Sequence, residues 1–170
     1  KNTVGAFYQP KRVLIDPELL LTLDIRQIRS GLAESLKMAA TSDAELFEMF
    51  EKGITVKDLD TVIYRSLLIK KQVVEQDEKE SGLRKILNFG HTIGHGIESS
   101  EGMSELYHGE CVAIGMLPMC SQNIRARVRE ALNKARLPII WKYDIDKIYK
   151  AVLHDKKLDG SKISIVLSDE

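Results

Sequence analysis

The sequence predicts a mainly α, multi-helical fold with short strands near both ends, and three observations carry that prediction. Apolar residues recur at helical spacing: Ile28, Leu32, Leu36 and Ala39 in one stretch, Leu59, Val62, Ile63, Leu67, Val73 and Val74 in another. Proline, glycine and acidic residues fall between such stretches, where helices start and stop. The β-branched runs that read as strands, Arg12-Val-Leu-Ile-Asp16 and Ile163-Ser-Ile-Val-Leu-Ser168, lie towards the two termini.

Taken in order, residues 1–10 are loop-like, with Gly5 and Pro10 as punctuation, and 12–16 form an isolated or edge strand. Asp16 as N-cap with Pro17 at the first helical position starts a short helix through Leu23. A second helix covers Arg26 to Ala40. Ser42 or Asp43 caps a third, which runs to about Lys52 with Leu46, Phe47 and Phe50 inward and ends at Gly53. A long helix from about Val56 to Gln76 follows, then a charged turn over 77–82 and a helix from about Gly90 to Glu98. Beyond a connector at 99–106, a helix of small and apolar residues runs through Val112, Ile114 and Met116, kinked at Pro118. Helices over 126–135 and 144–153 complete the chain.

At 170 residues the chain is one domain of ordinary size. Lysine plus arginine and aspartate plus glutamate are both 25, so there is no basic footprint for nucleic acid. No apolar run approaches the roughly 20 residues of a membrane span, and no signal peptide is visible. Cys111 and Cys120 stand nine apart in what reads as one helix, too far to bridge, and are expected as buried reduced thiols of a cytoplasmic protein. Both ends read as cut, which makes the chain a piece of a longer protein.

Chemistry concentrates between Glu80 and His95, which holds a carboxylate, a guanidinium, a carboxamide and two imidazoles. His91 and His95, four apart, share one face of a helix and suit one divalent cation, or one ligand beside one general base. If the helix begins early, Arg84 and Asn88 group on the same side. His108 precedes Gly109, as though backbone passes close to something there. Glu34 is the carboxylate set deepest in an apolar helix face, among Leu32, Ala33 and Leu36. Spacing defends His91 with His95, or His91 with His108 and Glu34, and does not choose. Each group has a plainer reading: Glu34–Lys37 as a helix-face ion pair, Lys70 and Lys71 as a solvated face, Arg84 paired with Glu80, His108 as a helix cap and His154 as structural.

Six blocks resemble 3-dehydroquinate synthase, in the right order across nearly the whole chain. They are Lys1-Asn-Thr-Val-Gly-Ala-Phe-Tyr-Gln-Pro10, Gly31-Leu-Ala-Glu-Ser-Leu-Lys37, Asp77-Glu-Lys-Glu-Ser-Gly-Leu-Arg84, Leu87-Asn-Phe-Gly-His-Thr-Ile-Gly-His95, Leu106-Tyr-His-Gly-Glu110 and Asp155-Lys-Lys157. The resemblance is to the helical C-terminal domain, as one unit over 1–170; the Rossmann-like N-terminal domain that binds NAD in the family is absent from this chain.

The resemblance implies zinc or cobalt on Glu34, His91 and His108, with an open position for substrate hydroxyls. It makes His95 a substrate-binding acid/base and Glu80 the other proton acceptor. It places Asn2, Lys37, Lys70, Arg84, Leu87, Asn88 and Lys156 on a doubly anionic sugar phosphate. Leu19, Thr22 and Ser30 would face the cofactor, although Ser30 stands where the family leads one to expect asparagine. The implied activity is that of a carbon–oxygen lyase of the shikimate pathway, converting 3-deoxy-D-arabino-heptulosonate 7-phosphate to 3-dehydroquinate and phosphate with NAD, in a full-length cytoplasmic homodimer. The chain alone is expected to be inactive and to expose an apolar patch where the NAD domain docks. The alternatives are a sister cyclase making an epi-valiolone or an inosose, a glycerol-dehydrogenase-like protein, and a helical domain that binds metal without turnover.

Overall fold

A computed structural model describes residues 4–6, 8, 10–100, 105–142, 144–157 and 165–168, with side chains in the last helix described through His154. Seven α-helices make up the described architecture: α1 Ile25–Ser42, α2 Ala44–Lys52, α3 Leu59–Gln76, α4 His91–Ser100, α5 His108–Met116, α6 Gln122–Lys134 and α7 Ile145–Lys157. Their ends follow from local chemistry. Asp24 and Asp43 accept backbone N–H bonds at the starts of α1 and α2, and Gly53 closes α2 with φ at 101°.

The helix α5 is the axis of the molecule. Every residue from Gly109 to Met116 is buried, Glu110 included. A helix with no polar side belongs inside, and α1 and α4 pack along it. One core gathers Ala33 and Leu36 of α1, Leu46 and Phe50 of α2, Val62 of α3, Ala113 and Met116 of α5, and Val128 and Leu132 of α6. A smaller cluster, Ile97, Cys111, Ile114 and Ile148, ties α4 and α5 to α7.

Two glycines set how closely these helices approach. A Cβ on Gly109 would stand 2.0 Å from the carbonyl oxygen of Ser30 in α1, and one on Gly115 would stand 2.2 Å from that of Gly90, just before α4. Both approaches are backbone to backbone, so only glycine permits them.

The mainly α class is what the structure shows, and several expected boundaries move. Pro17–Thr22 is a 3-10 helix rather than an α-helix, and Val56–Asp58 is a 3-10 turn before α3 proper. Leu83–Asn88 is also 3-10, and the helical path is interrupted at Phe89 and Gly90 (φ 77°) before α4 starts at His91. Arg84 and Asn88 therefore do not share a continuous helix with His91. The helix from His108 stops at Met116, with Pro118 inside a separate 3-10 turn, so Cys111 and Cys120 are not on one helix. Both cysteines are free and buried.

The strand-like runs find little to pair with. Residues 12–16 take no regular structure and pair in no ladder. Ser168 makes one parallel bridge with Cys120, its N–H donating to Met119 O and its carbonyl accepting from Ser121 N. The segment from Val13 to Ile25 instead leaves apolar side chains in solvent: Leu14 is 92% exposed, Leu21 75% and Leu19 69%. Exposed apolar side chains thus concentrate in this segment. No helix among the described residues is long and apolar enough to cross a membrane.

Candidate metal centre

Three helices deliver the site. Glu34 comes from the middle of α1, His91 and His95 from the first turns of α4, and His108 from the first residue of α5. The glycine-mediated approaches of α5 to α1 and to the start of α4 bring these sequence-distant groups together.

Glu34 divides its oxygens between two tasks. Oε2 accepts from Lys37 Nζ at 2.7 Å, so the plain i,i+3 ion pair exists, with the lysine 4% exposed. Oε1 is buried and has no hydrogen-bond partner. It faces Nε2 of His91 at 3.5 Å and Nε2 of His108 at 3.6 Å, too far for good hydrogen bonds. Two ligand atoms on a tetrahedral zinc, each about 2.1 Å from the ion, stand roughly 3.4 Å apart. Both distances from Glu34 Oε1 match an edge of such a coordination shell, so the carboxylate and each imidazole stand at ligand spacing for a divalent cation.

The electrostatics keep Glu34 ionised and His91 neutral. Burial opposes ionisation of Glu34, yet the His108 imidazole and the Lys37 ammonium hold its carboxyl down at about 2. Burial, with the nearby Lys37 charge, pushes His91 down to about 4, so its ring is neutral and able to donate a lone pair. Glu34 beside it, assisted by Glu98 and offset in part by burial, raises His108. Burial also lowers Lys37, against the pull of Glu34.

The exposed ring of His95 lies 5.3 Å from that of His91 and 5.6 Å from that of His108, centroid to centroid. One ring nitrogen of each of the three histidines falls within 4.8 Å of the others, so His91, His95 and His108 form a second possible ligand set. The geometry brings all four groups together, and the three-histidine set adds His108 to the His91–His95 pair that spacing suggested.

Glu34 also lines a cavity of about 200 Å³ with Lys37, Lys70, Glu80, Arg84, Leu87 and Asn88. These are six of the site residues named from sequence. Glu80 sits in left-handed backbone (φ 58°), and its carboxylate accepts from Asn88 Nδ2 at 2.6 Å. Arg84 donates to the Glu78 carbonyl rather than pairing with Glu80. Asn2 and the side chain of Lys156 lie outside the described residues. Of the expected cofactor-facing residues, Leu19 is exposed and Thr22 donates its hydroxyl to the Leu19 carbonyl. Ser30 has a different engagement: its Oγ accepts from Gly109 N–H at 3.0 Å, across the α1–α5 crossing.

Three supporting groups escaped the sequence reading. Asp77, buried after α3, accepts from the N–H groups of Ser81, Gly82 and Arg84, which shapes the loop carrying Glu80 and holds its carboxyl well below the usual range. Arg26 grips Glu110 with two 2.7 Å bonds, donates to the Glu105 carbonyl and covers the Tyr107 ring, fixing the entry to α5. Glu98 Oε2 lies 3.1 Å from His108 Nδ1. A glutamate at the third position of α5, as in a capping box, was the one available signal, and it concerned Glu110.

Comparisons with known proteins converge on one family. The family model for the 3-dehydroquinate synthase C-terminal region matches residues 31–158. The chain is 41% identical to a 3-dehydroquinate synthase of Synechocystis sp., over 98% of this chain and 52% of that protein. It is 43% identical to one of Acetivibrio thermocellus, over 98% and 51%. The chain thus spans about half the length of these curated relatives.

Among solved structures, a 2-epi-5-epi-valiolone synthase from Streptomyces hygroscopicus with NAD+ and Zn2+ bound superposes with a TM-score of 0.79 at 30% identity, covering 93% of this chain and 49% of that one. A 2-deoxy-scyllo-inosose synthase complexed with carbaglucose-6-phosphate, NAD+ and Co2+ gives 0.78 at 30% identity, covering 98% and 51%.

Proposed function

The chain belongs to the 3-dehydroquinate synthase C-terminal family, and on that premise we propose that it is the metal- and substrate-binding domain of a 3-dehydroquinate synthase. The reaction is conversion of 3-deoxy-D-arabino-heptulosonate 7-phosphate to 3-dehydroquinate and phosphate, a shikimate-pathway step of the cytoplasm, in a homodimeric full-length enzyme. The observation that carries the reading is Glu34 Oε1, buried without a hydrogen-bond partner and faced by two imidazole Nε2 atoms. A buried carboxylate oxygen left in that state costs stability unless something else takes its lone pairs.

Glu34, His91 and His108 would hold a zinc or cobalt ion, which when bound would supply a Lewis acid to polarise a substrate oxygen. The chain's own side chains do the rest. Lys37, Lys70 and Arg84 offer positive charge to a substrate with a carboxylate and a phosphate, joined by Lys156 and, from the opening loop, Asn2. Leu87 closes the wall of the cavity. Asn88 fixes the Glu80 carboxylate by its 2.6 Å hydrogen bond, so Glu80 accepts a proton from a defined position. His95, exposed beside the two ligand imidazoles, holds or passes a proton at the cavity mouth.

NAD is bound mainly by the half of the family's length that this chain does not span. Leu19, Thr22 and Ser30 are this chain's contribution to the cofactor side, and the exposed apolar side chains between Val13 and Ile25 support a docking surface for that half. On its own the chain does not complete the redox cycle.

A sister cyclase is the alternative. Curated relatives named 3-dehydroquinate synthase are 38–43% identical, whereas the solved valiolone and inosose synthases are 29–30% identical, which favours the dehydroquinate branch.

Zinc titration of the metal-free chain and of Glu34→Ala, His91→Ala, His108→Ala and His95→Ala tests the centre. One tight site lost in the first three variants and kept in the last is expected. A site lost in His95→Ala but kept in Glu34→Ala would replace the ligand set by the three histidines. No tight site in the parent would refute a metal centre formed by this domain.

A further inference from the structure

The two nitrogens of His108 are engaged from opposite sides. Nε2 looks across at Glu34 Oε1, and Nδ1 lies 3.1 Å from Glu98 Oε2. Glu98 belongs to α4, two turns after His91, and its side chain is only 17% exposed. A carboxylate accepts and does not donate, so a neutral His108 in this contact carries its proton on Nδ1 and leaves the Nε2 lone pair free. His91 has the same arrangement with a weaker partner, the neutral carbonyl of Phe89 at 3.3 Å from Nδ1. Helix α4 therefore supplies one imidazole directly and steers the other, which comes from α5.

We propose that Glu98 is a positioning residue for the metal centre: it holds His108 in the Nδ1–H tautomer, aims Nε2 at the gap beside Glu34 and strengthens that nitrogen as a donor to a divalent cation. The inference rests on the metal reading of Glu34, His91 and His108. An anionic acceptor on the far nitrogen makes an imidazole a better ligand, and losing such a partner typically weakens metal binding about 10- to 100-fold. The competing role for Glu98 is an α4–α5 contact that stabilises packing alone.

Two measurements on the chain separate these. Long-range 1H–15N spectra of the metal-free chain, at a pH where the rings are neutral, report each tautomer. His108 is expected as Nδ1–H in the parent and largely as Nε2–H in Glu98→Ala. An unchanged tautomer in Glu98→Ala overturns the proposal. Zinc titration should then show Glu98→Ala weakened about 10- to 100-fold, and the near-isosteric Glu98→Gln weakened at least threefold. Parental zinc affinity in Glu98→Gln overturns the proposal even where Glu98→Ala does not fold. A parent with the Nδ1–H tautomer and no zinc uptake defeats the metal reading and, with it, the donor-strengthening role. A parent with tight zinc and a His108 indifferent to Glu98 defeats this inference alone.

Discussion

Gly109→Ala tests how strictly the helix crossing defines the site. The new Cβ would sit 2.0 Å from the Ser30 carbonyl oxygen, while ordinary contact begins at 3.4 Å, so α1 and α5 must separate by about 1.4 Å. The clash is with backbone, and no rotamer relieves it. Overpacking of this kind costs about 1–3 kcal/mol, against up to about 1 kcal/mol gained from replacing a helical glycine by alanine. The separation also breaks the 3.0 Å Gly109 N–H to Ser30 Oγ bond and moves His108 from Glu34, which lies one turn beyond Ser30 on α1. Metal sites tolerate about 0.2 Å in ligand distance. Gly109→Ala should therefore lower the urea midpoint and weaken zinc by at least tenfold. Gly31→Ala, also on α1 but with nothing within 4 Å of its Cβ, is the control and should be neutral or stabilising. A Gly109→Ala chain with parental stability and parental zinc affinity would refute the claim that this contact sets the site.

Other consequences can be measured on the same chain. The metal-free fold should weaken in acid: His91 falls from 6.5 unfolded to about 4 folded, so the unfolded chain binds more protons between those values and stability drops as pH falls through that window, by an amount equivalent to roughly 3 kcal/mol. Glu34, held at about 2, extends the loss below its unfolded value of 4.5, whereas raised His108 acts oppositely and loses its contribution as pH climbs through its folded value. Urea midpoints against pH check this, and a parent flat between pH 7 and pH 4 would contradict it. Arg26→Ala should lower the melting temperature and weaken zinc by loosening the entry to α5, and Arg26→Lys should not rescue it, because one ammonium cannot reproduce the two-bond grip on Glu110. Cys111 and Cys120, 1% and 3% exposed with thiols pushed up to about 11 by burial, should resist a thiol reagent until urea unfolds the chain.

The sequence made α1, α2 and α3 legible because each carries a 3.6-residue apolar stripe bounded by capping or turn residues. It was least informative where a boundary depends on tertiary packing. Local pattern started a helix at about Gly90 but did not show that Leu83–Asn88 before it is 3-10; the break between the two falls where Gly115 passes the Gly90 carbonyl. The run from Val13 to Ile15 has strand composition, but with no neighbouring strand among the described residues it stays irregular and unpaired. Site residues were legible as candidates, since Glu34, His91, His95 and His108 are rare groups in apolar surroundings. Their convergence was not, because it depends on three helices meeting at distances that residue spacing does not contain. Glu98 and Arg26 were invisible for the same reason: each acts across a helix interface on a residue distant in sequence.

That dependence explains why the centre sits where it does. The α1–α4–α5 junction is rigid because α5 is buried on every side and its glycines admit backbone contact. Side chains projecting from the rim of such a junction lose little further freedom when they close on an ion, so their ordering is supplied by the core rather than by the ligand. Glu80 and Arg84 stand on a different footing, on a loop held by hydrogen bonds to one buried carboxylate, Asp77. The rigid half of the site is suited to holding an ion in fixed geometry, and the looped half to meeting a substrate that arrives and leaves.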